Sequence, residues 1–208
     1  MSKALIILTL FLIFGSSCYT QETDSLFIKL HFLYGSKPKH NTKDSEKKRF
    51  GGLHGGHVTI EVDETVFGFN PKGSYHIFAN NKKPHGAWRA EPLKYWVLDT
   101  ASEKYTSFII PVTQEQYDSV KNILTRYVQN TPYDYALFGY RCAAASWDVL
   151  SQAGILDEHS RTWEIYGCFI PKPERRKMFR RAEELNAIIV RKEGRNTRKW
   201  EKDKRKFR

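Results

Sequence analysis

The stretch Gly55-Gly56-His57-Val58-Thr59-Ile60-Glu61-Val62-Asp63-Glu64-Thr65-Val66-Phe67-Gly68-Phe69-Asn70 decides the fold class. From His57 to Val62 polar and apolar residues alternate with period two, the pattern of a half-buried strand. Asp63-Glu64 supplies a tight turn, and Thr65 to Asn70 returns as a second strand, which makes a hairpin. Counting outward from a two-residue turn pairs Val62 with Thr65 and sets His57 opposite Asn70. Directly opposed side chains on one face lie roughly 4.5–5.5 Å apart at Cβ, close enough for an amide to orient an imidazole.

Outward from the hairpin, Leu26 to Tyr34 reads as a first strand, and residues 37–49 as a polar, mostly basic loop. Pro71-Lys72-Gly73 is a turn, and Tyr75 to Phe78 a short third strand. Residues 79–104 read as loop-rich, with Trp88, Pro92 and Trp96 as packing anchors. Thr106 to Val112 is a further strand, with Pro111 at an edge or an end. A helix follows from a Thr113 cap with Gln116 in the capping-box position. Its residues Tyr117, Val120, Leu124, Tyr127 and Val128 stripe one face. A second helix runs from Cys142 to Ala153 and stops at Gly154. A final helix begins at Pro173-Glu174 and turns Met178, Ala182 and Leu185 inward. The chain carries no internal repeat. The fold class is α+β: an antiparallel sheet with the Cys142 helix packed on it, where Ala143, Ala144 and Ala145 allow close approach.

The chemistry centres on Arg141-Cys142-Ala143-Ala144-Ala145-Ser146-Trp147. A thiol in the first turn of a helix meets unpaired backbone N–H groups and the positive end of the helix dipole, which favour a thiolate. A histidine at the start of a strand completes the parts of a cysteine hydrolase or acyltransferase. The competing reading is a small buried cysteine that merely packs. For Asn70 the competing reading is a turn residue before Pro71. Tyr133, Tyr135 and Tyr140 crowd the start of the Cys142 helix, where packing is the default and a donor role is open to one of them. Glu61 shares a face with His57 and reads either as groove lining or as a solvated strand face. Asp148 reads as surface. His54 and His57, with His31 or His40, fall short of the ligand count and spacing of a zinc site, so no metal and no cofactor are expected.

The order of a Gly-Gly-His-Val-x-Ile-x-Val strand (Gly55 to Val62), a hairpin, a strand–helix pair, and Tyr135-x-x-Phe138-Gly139-Tyr140-x-Cys142-Ala143 opening a helix resembles the circularly permuted papain-like cysteine hydrolases. These are relatives of the NlpC-type cell-wall peptidases and of the lecithin-retinol acyltransferase group, and the resemblance spans about residues 26–180. It implies Cys142 as nucleophile, His57 as general base and a polar third residue on the next strand, for which Asn70 is the candidate. It also implies a peptide or cell-envelope substrate. Three functions follow: an exported amide hydrolase, a thioester-forming lipase or acyltransferase, and a non-catalytic envelope-binding module of the same fold.

Lys3, the apolar run Ala4 to Phe14 and the small residues Gly15-Ser16-Ser17 have the order of an export signal over residues 1–20, in a bacterial cell envelope or secreted setting. Cys18 resembles a lipoprotein site and would carry a lipid anchor, although Gly15 stands where a branched aliphatic is usual. Cleavage before Gln21 is the other fit. Residues 24–190 make one domain with a core. Removal of the signal leaves Cys142 and Cys168 of the three cysteines; a bridge between them would consume the nucleophile. The formal net charge is +11, and residues 191–208 carry +7 of it. That basic tail reads as solvated, with affinity for anionic surfaces. With only Trp200 and Phe207 interleaved, it carries no specific nucleic-acid motif.

Overall fold

The computed structural model describes residues 26–35, 56–74, 76–80, 82–158 and 171–195. The export signal with Cys18, the 37–49 loop, His40, His54, Cys168 and the tail from residue 196 lie outside the described residues.

In chain order the elements are β1 (Phe27–Tyr34), β2 (Gly56–Val62), β3 (Thr65–Pro71), β4 (His76–Phe78), β5 (Gly86–Pro92), α1 (Leu93–Asp99), β6 (Tyr105–Pro111), α2 (Gln114–Gln129), β7 (Ala136–Phe138), α3 (Cys142–Gln152), α4 (Pro171–Arg181) and β8 (Ile188–Lys192). Six strands form one antiparallel sheet in the order β5-β3-β2-β1-β6-β8. The hairpin register is the one counted from the turn, Val62 facing Thr65 and Thr59 facing Gly68, with Asp63 in the left-handed region at φ 55°. The architecture is α+β, as the patterning implied.

The alternation in the strands sorts the sheet into two unlike faces. Leu30 and Phe32 of β1, Val58, Ile60 and Val62 of β2, Phe67 and Phe69 of β3, Trp88 of β5 and Phe108 of β6 form one apolar face. On it sit α2 through Val120 and Leu124, α3 through its alanines and Trp147, and α4 through Met178. Ala143, Ala144 and Ala145 are fully buried, so α3 does lie close to the strands. Each large side chain removed from water here contributes roughly 1.5–3 kcal/mol. The opposite face carries His31, His57, Thr59, Glu61, Gly68, Asn70, Arg89 and Ser107. It is covered only partly, where Trp96 of α1 packs on Leu33 and Val66.

Several local signals operate as their chemistry dictates. The Thr113 hydroxyl accepts from the Gln116 N–H at 3.2 Å, and the Gln116 side chain accepts from the Thr113 N–H at 3.1 Å. Gly154 ends α3 at φ 67°, a conformation that costs other residues a Cβ clash.

Three segments differ from the sequence reading. Residues 79–104 hold β5 and α1, whose short, proline-bounded runs gain their order from pairing with β3 and from burial of Trp96. The short strand near residue 75 leaves the main sheet and pairs in parallel with β7. Residues 191 and 192 belong to β8, an outer strand paired with β6, and Arg195 N–H donates to the Ser102 carbonyl at 2.9 Å. The domain therefore runs past residue 190. Lys192 also donates to the carbonyls of Thr100, Ala101 and Glu103, a use of its ammonium that a count of charges does not reveal.

Thr113→Ala removes a cap that satisfies an orphan N–H, and should cost about 1 kcal/mol. In urea unfolding the midpoint falls while the slope is unchanged.

Candidate functional site

Cys142 is the first residue of α3. Its neighbour Arg141 is the extended N-cap and makes no side-chain cap bond, so the first-turn N–H groups are left to other partners. The groups that favour a charged sulfur here are the backbone N–H groups of Val58 in β2 and of Ala143, the hydroxyl of Tyr135 and the Arg141 charge. The residue is only 3% exposed. Burial is the largest influence and pushes the thiol up, the four polar neighbours pull it down, and the net position lies above an ordinary thiol. At neutral pH sulfur keeps its proton.

Glu174 on α4 is the second unusual group. It is 0% exposed, and neither carboxyl oxygen has a hydrogen-bond partner among the described residues. Burial, followed by the proximity of the Cys142 charge, raises its carboxyl well above the usual range, against weaker pulls from Lys177 and Arg175. Ser146, one turn along α3 from Cys142, is likewise buried with an unpartnered hydroxyl. Nothing in the sequence singled out Glu174. The signal was a lone glutamate one residue past a proline, which reads as an ordinary first-turn acid.

His57 stands elsewhere. It shares the polar face of β2 with Thr59 and Glu61, while Val58, Ile60 and Val62 meet α3. Its ladder partner is Leu33, which packs under α1. A Cβ built on Gly68 would come within 3.1 Å of His57 Nε2, 3.2 Å of Thr59 Cγ2 and 3.3 Å of Asn70 Nδ2, so these three converge over a glycine. They line a cavity of about 470 Å³ together with Arg89, Glu91 and Trp96. Burial lowers the imidazole to about 4, so it is neutral at neutral pH.

Of the expected set Cys142, His57 and Asn70, the latter two line one cavity over Gly68, while Cys142 belongs to the apolar cluster under α3. The β2–β3 ladder ends at Thr59 and Gly68, so His57 and Asn70 are not ladder partners, and Asn70 Nδ2 donates to the Gly68 carbonyl at 3.0 Å. Where that ladder ends, the Val58 N–H reaches the thiol. Asn70 is not a turn residue either: it pairs with Ala87 within β3.

Other polar residues are more committed than their sequence contexts suggested. Glu61 is buried and accepts from Lys29 at 2.5 Å and bonds His31 Nε2 at 2.9 Å, while His31 Nδ1 meets Ser107 Oγ at 2.7 Å. Burial pushes Glu61 up, but those partners outweigh it and leave the carboxyl below its usual range. Asp148 is no free surface acid, since it accepts from Tyr133 at 2.9 Å and from Gln152 at 2.9 Å. His76 and His85 stack at 4.0 Å beside Asp134, which takes the His76 ring N–H at 2.6 Å. Among the described residues no cluster of three or more His, Cys, Asp or Glu has the arrangement of a metal site. No helix among them is long and apolar enough to cross a membrane. Comparison of the chain with family models, with curated proteins and with solved structures gives no match.

The depressed His57 sets a sign for acid stability. The unfolded imidazole takes up its proton near pH 6.5 and the folded one near pH 4, so stability falls as pH drops across that interval. The full effect is about 3 kcal/mol, at 1.36 kcal/mol per unit. Glu174 acts oppositely, costing stability as pH rises past its unfolded value. Comparing denaturation midpoints of His57→Gln and the parent from pH 7 to pH 4 isolates the histidine, and the variant should lose less stability on acidification.

Proposed function

We propose that this chain is a cysteine-dependent acyl-transfer enzyme, a hydrolase of amide bonds, with Cys142 as the nucleophile. The observation that carries the reading is the pairing of a helix-start thiol holding three hydrogen-bond donors with a buried carboxyl holding none. When the Cys142–Glu174 pair loses one proton, the charge rests on sulfur, where Val58, Ala143 and Tyr135 solvate it, and Glu174 keeps its proton. The thiolate attacks the acyl carbon, and the Cys142 backbone N–H at the helix start receives the developing oxyanion. As the C–N bond breaks, the Glu174 proton passes to the leaving amine. Water then attacks the thioester and yields its proton to the Glu174 carboxylate, and sulfur leaves as thiolate, which restores the pair.

His57 lines the cavity over Gly68, and the proposed proton transfer does not use it. Support for an amide in cell-envelope peptides, and for export of the chain, comes from the permuted papain-like resemblance and the apolar N-terminal run. A fatty-acyl donor would use the same thioester step, and the mass retained on Cys142 separates the two. A non-catalytic binding module is the second reading, favoured by the 3% exposure of Cys142 and its raised pKa.

Iodoacetamide labelling of folded protein across pH, followed by peptide mass mapping, tests the pair. Cys142 should react with a midpoint above that of a free thiol near 8.5, and Glu174→Gln should leave that midpoint nearly unchanged, because the carboxyl it replaces is still protonated when the thiol ionises. Turnover of an amide substrate should vanish in Cys142→Ala, fall about 10²–10⁴-fold in Glu174→Gln as for a lost general acid, and largely survive in His57→Gln. A Cys142 that stays unlabelled at every pH where the fold persists rejects the enzyme in favour of the binding module.

A further inference from the structure

The polar face of the sheet carries a second site, separate from Cys142. Ladder pairing aligns Ser107, His31, Thr59, Gly68 and Arg89 in one row across β6, β1, β2, β3 and β5. The row is interrupted at Gly68, where the missing side chain opens the cavity of about 470 Å³. That volume falls within the range of small-molecule sites. A glycine inside a strand weakens it, and close approach by another molecule is one standing reason for it.

Three observations make this a built site. Thr59 is 4% exposed, and its hydroxyl has no hydrogen-bond partner among the described residues while the residue lines the cavity. The Thr59 methyl, Cγ2, is the atom that meets the glycine, 3.2 Å from a Cβ built there. His57 Nε2 and Asn70 Nδ2 close over the same glycine. The charges are of both signs: Arg89 makes no ion pair among the described residues, and Glu91, two residues along the same strand face, lies near Asp99 of α1.

That charge layout selects the ligand. A simple anion would meet Glu91 and Asp99, and a simple cation would meet Arg89. A molecule with both charges a few bonds apart satisfies each. A guanidinium suits a carboxylate, which it can hold by two parallel hydrogen bonds. Leu33, Val66 and Trp96 add an apolar wall for a side chain. We propose that the cavity over Gly68 binds a zwitterionic amino acid or short peptide, carboxylate on Arg89, ammonium toward Glu91, and polar backbone against His57 and Asn70. The site stands whether or not Cys142 is a nucleophile.

Calorimetric titration of the full chain with L-leucine, L-alanyl-L-leucine, and the N-acetyl and C-terminal amide forms of the dipeptide tests it. The free zwitterions should bind with Kd below about 1 mM, and each cap should weaken binding about tenfold or more. Arg89→Gln, at an exposed position, should erase discrimination against the amide, and Glu91→Gln discrimination against the acetyl form. Gly68→Ala should abolish binding, and Cys142→Ala should leave it unchanged. Should Gly68→Ala fail to fold, the Arg89 and Glu91 variants decide alone. Equal binding of capped and free dipeptides, or no binding of any probe up to about 10 mM, overturns the proposal.

Discussion

The pleat of β2 is the constraint on which both sites depend. Side chains in a strand alternate strictly between faces, so Val58, Ile60 and Val62 cannot meet α3 unless His57, Thr59 and Glu61 turn away from it. One peptide unit joins the two halves: Val58 offers its N–H to the Cys142 thiol, and His57, the residue before it, closes over Gly68. A shift of one residue in register would bury the imidazole against the alanines and drive isoleucine into the polar cavity. The hairpin turn at Asp63-Glu64, pinned by Tyr117 and Lys121 from α2, opposes that slip.

The buried carboxyls show how differently one functional group behaves in one protein. Asp134 has a fully buried side chain, yet it receives N–H donors from Asn80, His85 and His76 and titrates below its ordinary value. Glu61 is equally buried and is held down by Lys29 and His31. Glu174 has comparable burial and no donor, and titrates upward. Asp134 and Glu61 are anions that tie elements together, the former anchoring the β4–β7 ribbon beside β5. Glu174 contributes little to holding α4, since an unpartnered buried carboxyl costs free energy in either protonation state. Met178, Phe179 against Phe108, the Arg181–Asp157 ion pair and the stack of Arg175 on Tyr34, 3.8 Å from the ring centroid, help to hold that helix. A group retained at a net cost is where chemistry is to be sought, which is the logic that links Glu174 to Cys142.

Much of the frame was legible in the residues. The hairpin, the first strand, the Thr113 capping box, the Gly154 stop and the cysteine at a helix start each rest on short-range chemistry, and each stands in the structure. The parts that escaped depend on neighbours distant in sequence. Gly86 to Pro92 lacks β-branched residues and becomes a strand only because β3 offers its outer edge. Ile188 to Lys192 lies on the far edge, where a short apolar run running into basic residues passes for the start of a tail. Glu174 owes its state to α3 and α4 packing together, which no local pattern encodes.

The separation of His57 from Cys142 was, by contrast, already implicit in the chain. The α3 helix opens with three alanines and carries Trp147, Val149 and Leu150, so it seeks an apolar surface. In β2 that surface is the set Val58, Ile60 and Val62, and in β3 it is Phe67 and Phe69. His57 shares its parity with Thr59 and Glu61, the polar set. An alternating strand and a helix on its apolar face together send the histidine to the opposite side. Motif order alone, histidine before cysteine, carries no information about faces and so could not reveal this. The same parity count brings Gly68 and Asn70 to His57 and Arg89 to Gly68, so the row that forms the second cavity follows from the hairpin register once β5 is known to pair with β3. Facing is thus a stronger test of a proposed catalytic pair than spacing, because a strand residue has two directions open to it and the core takes one.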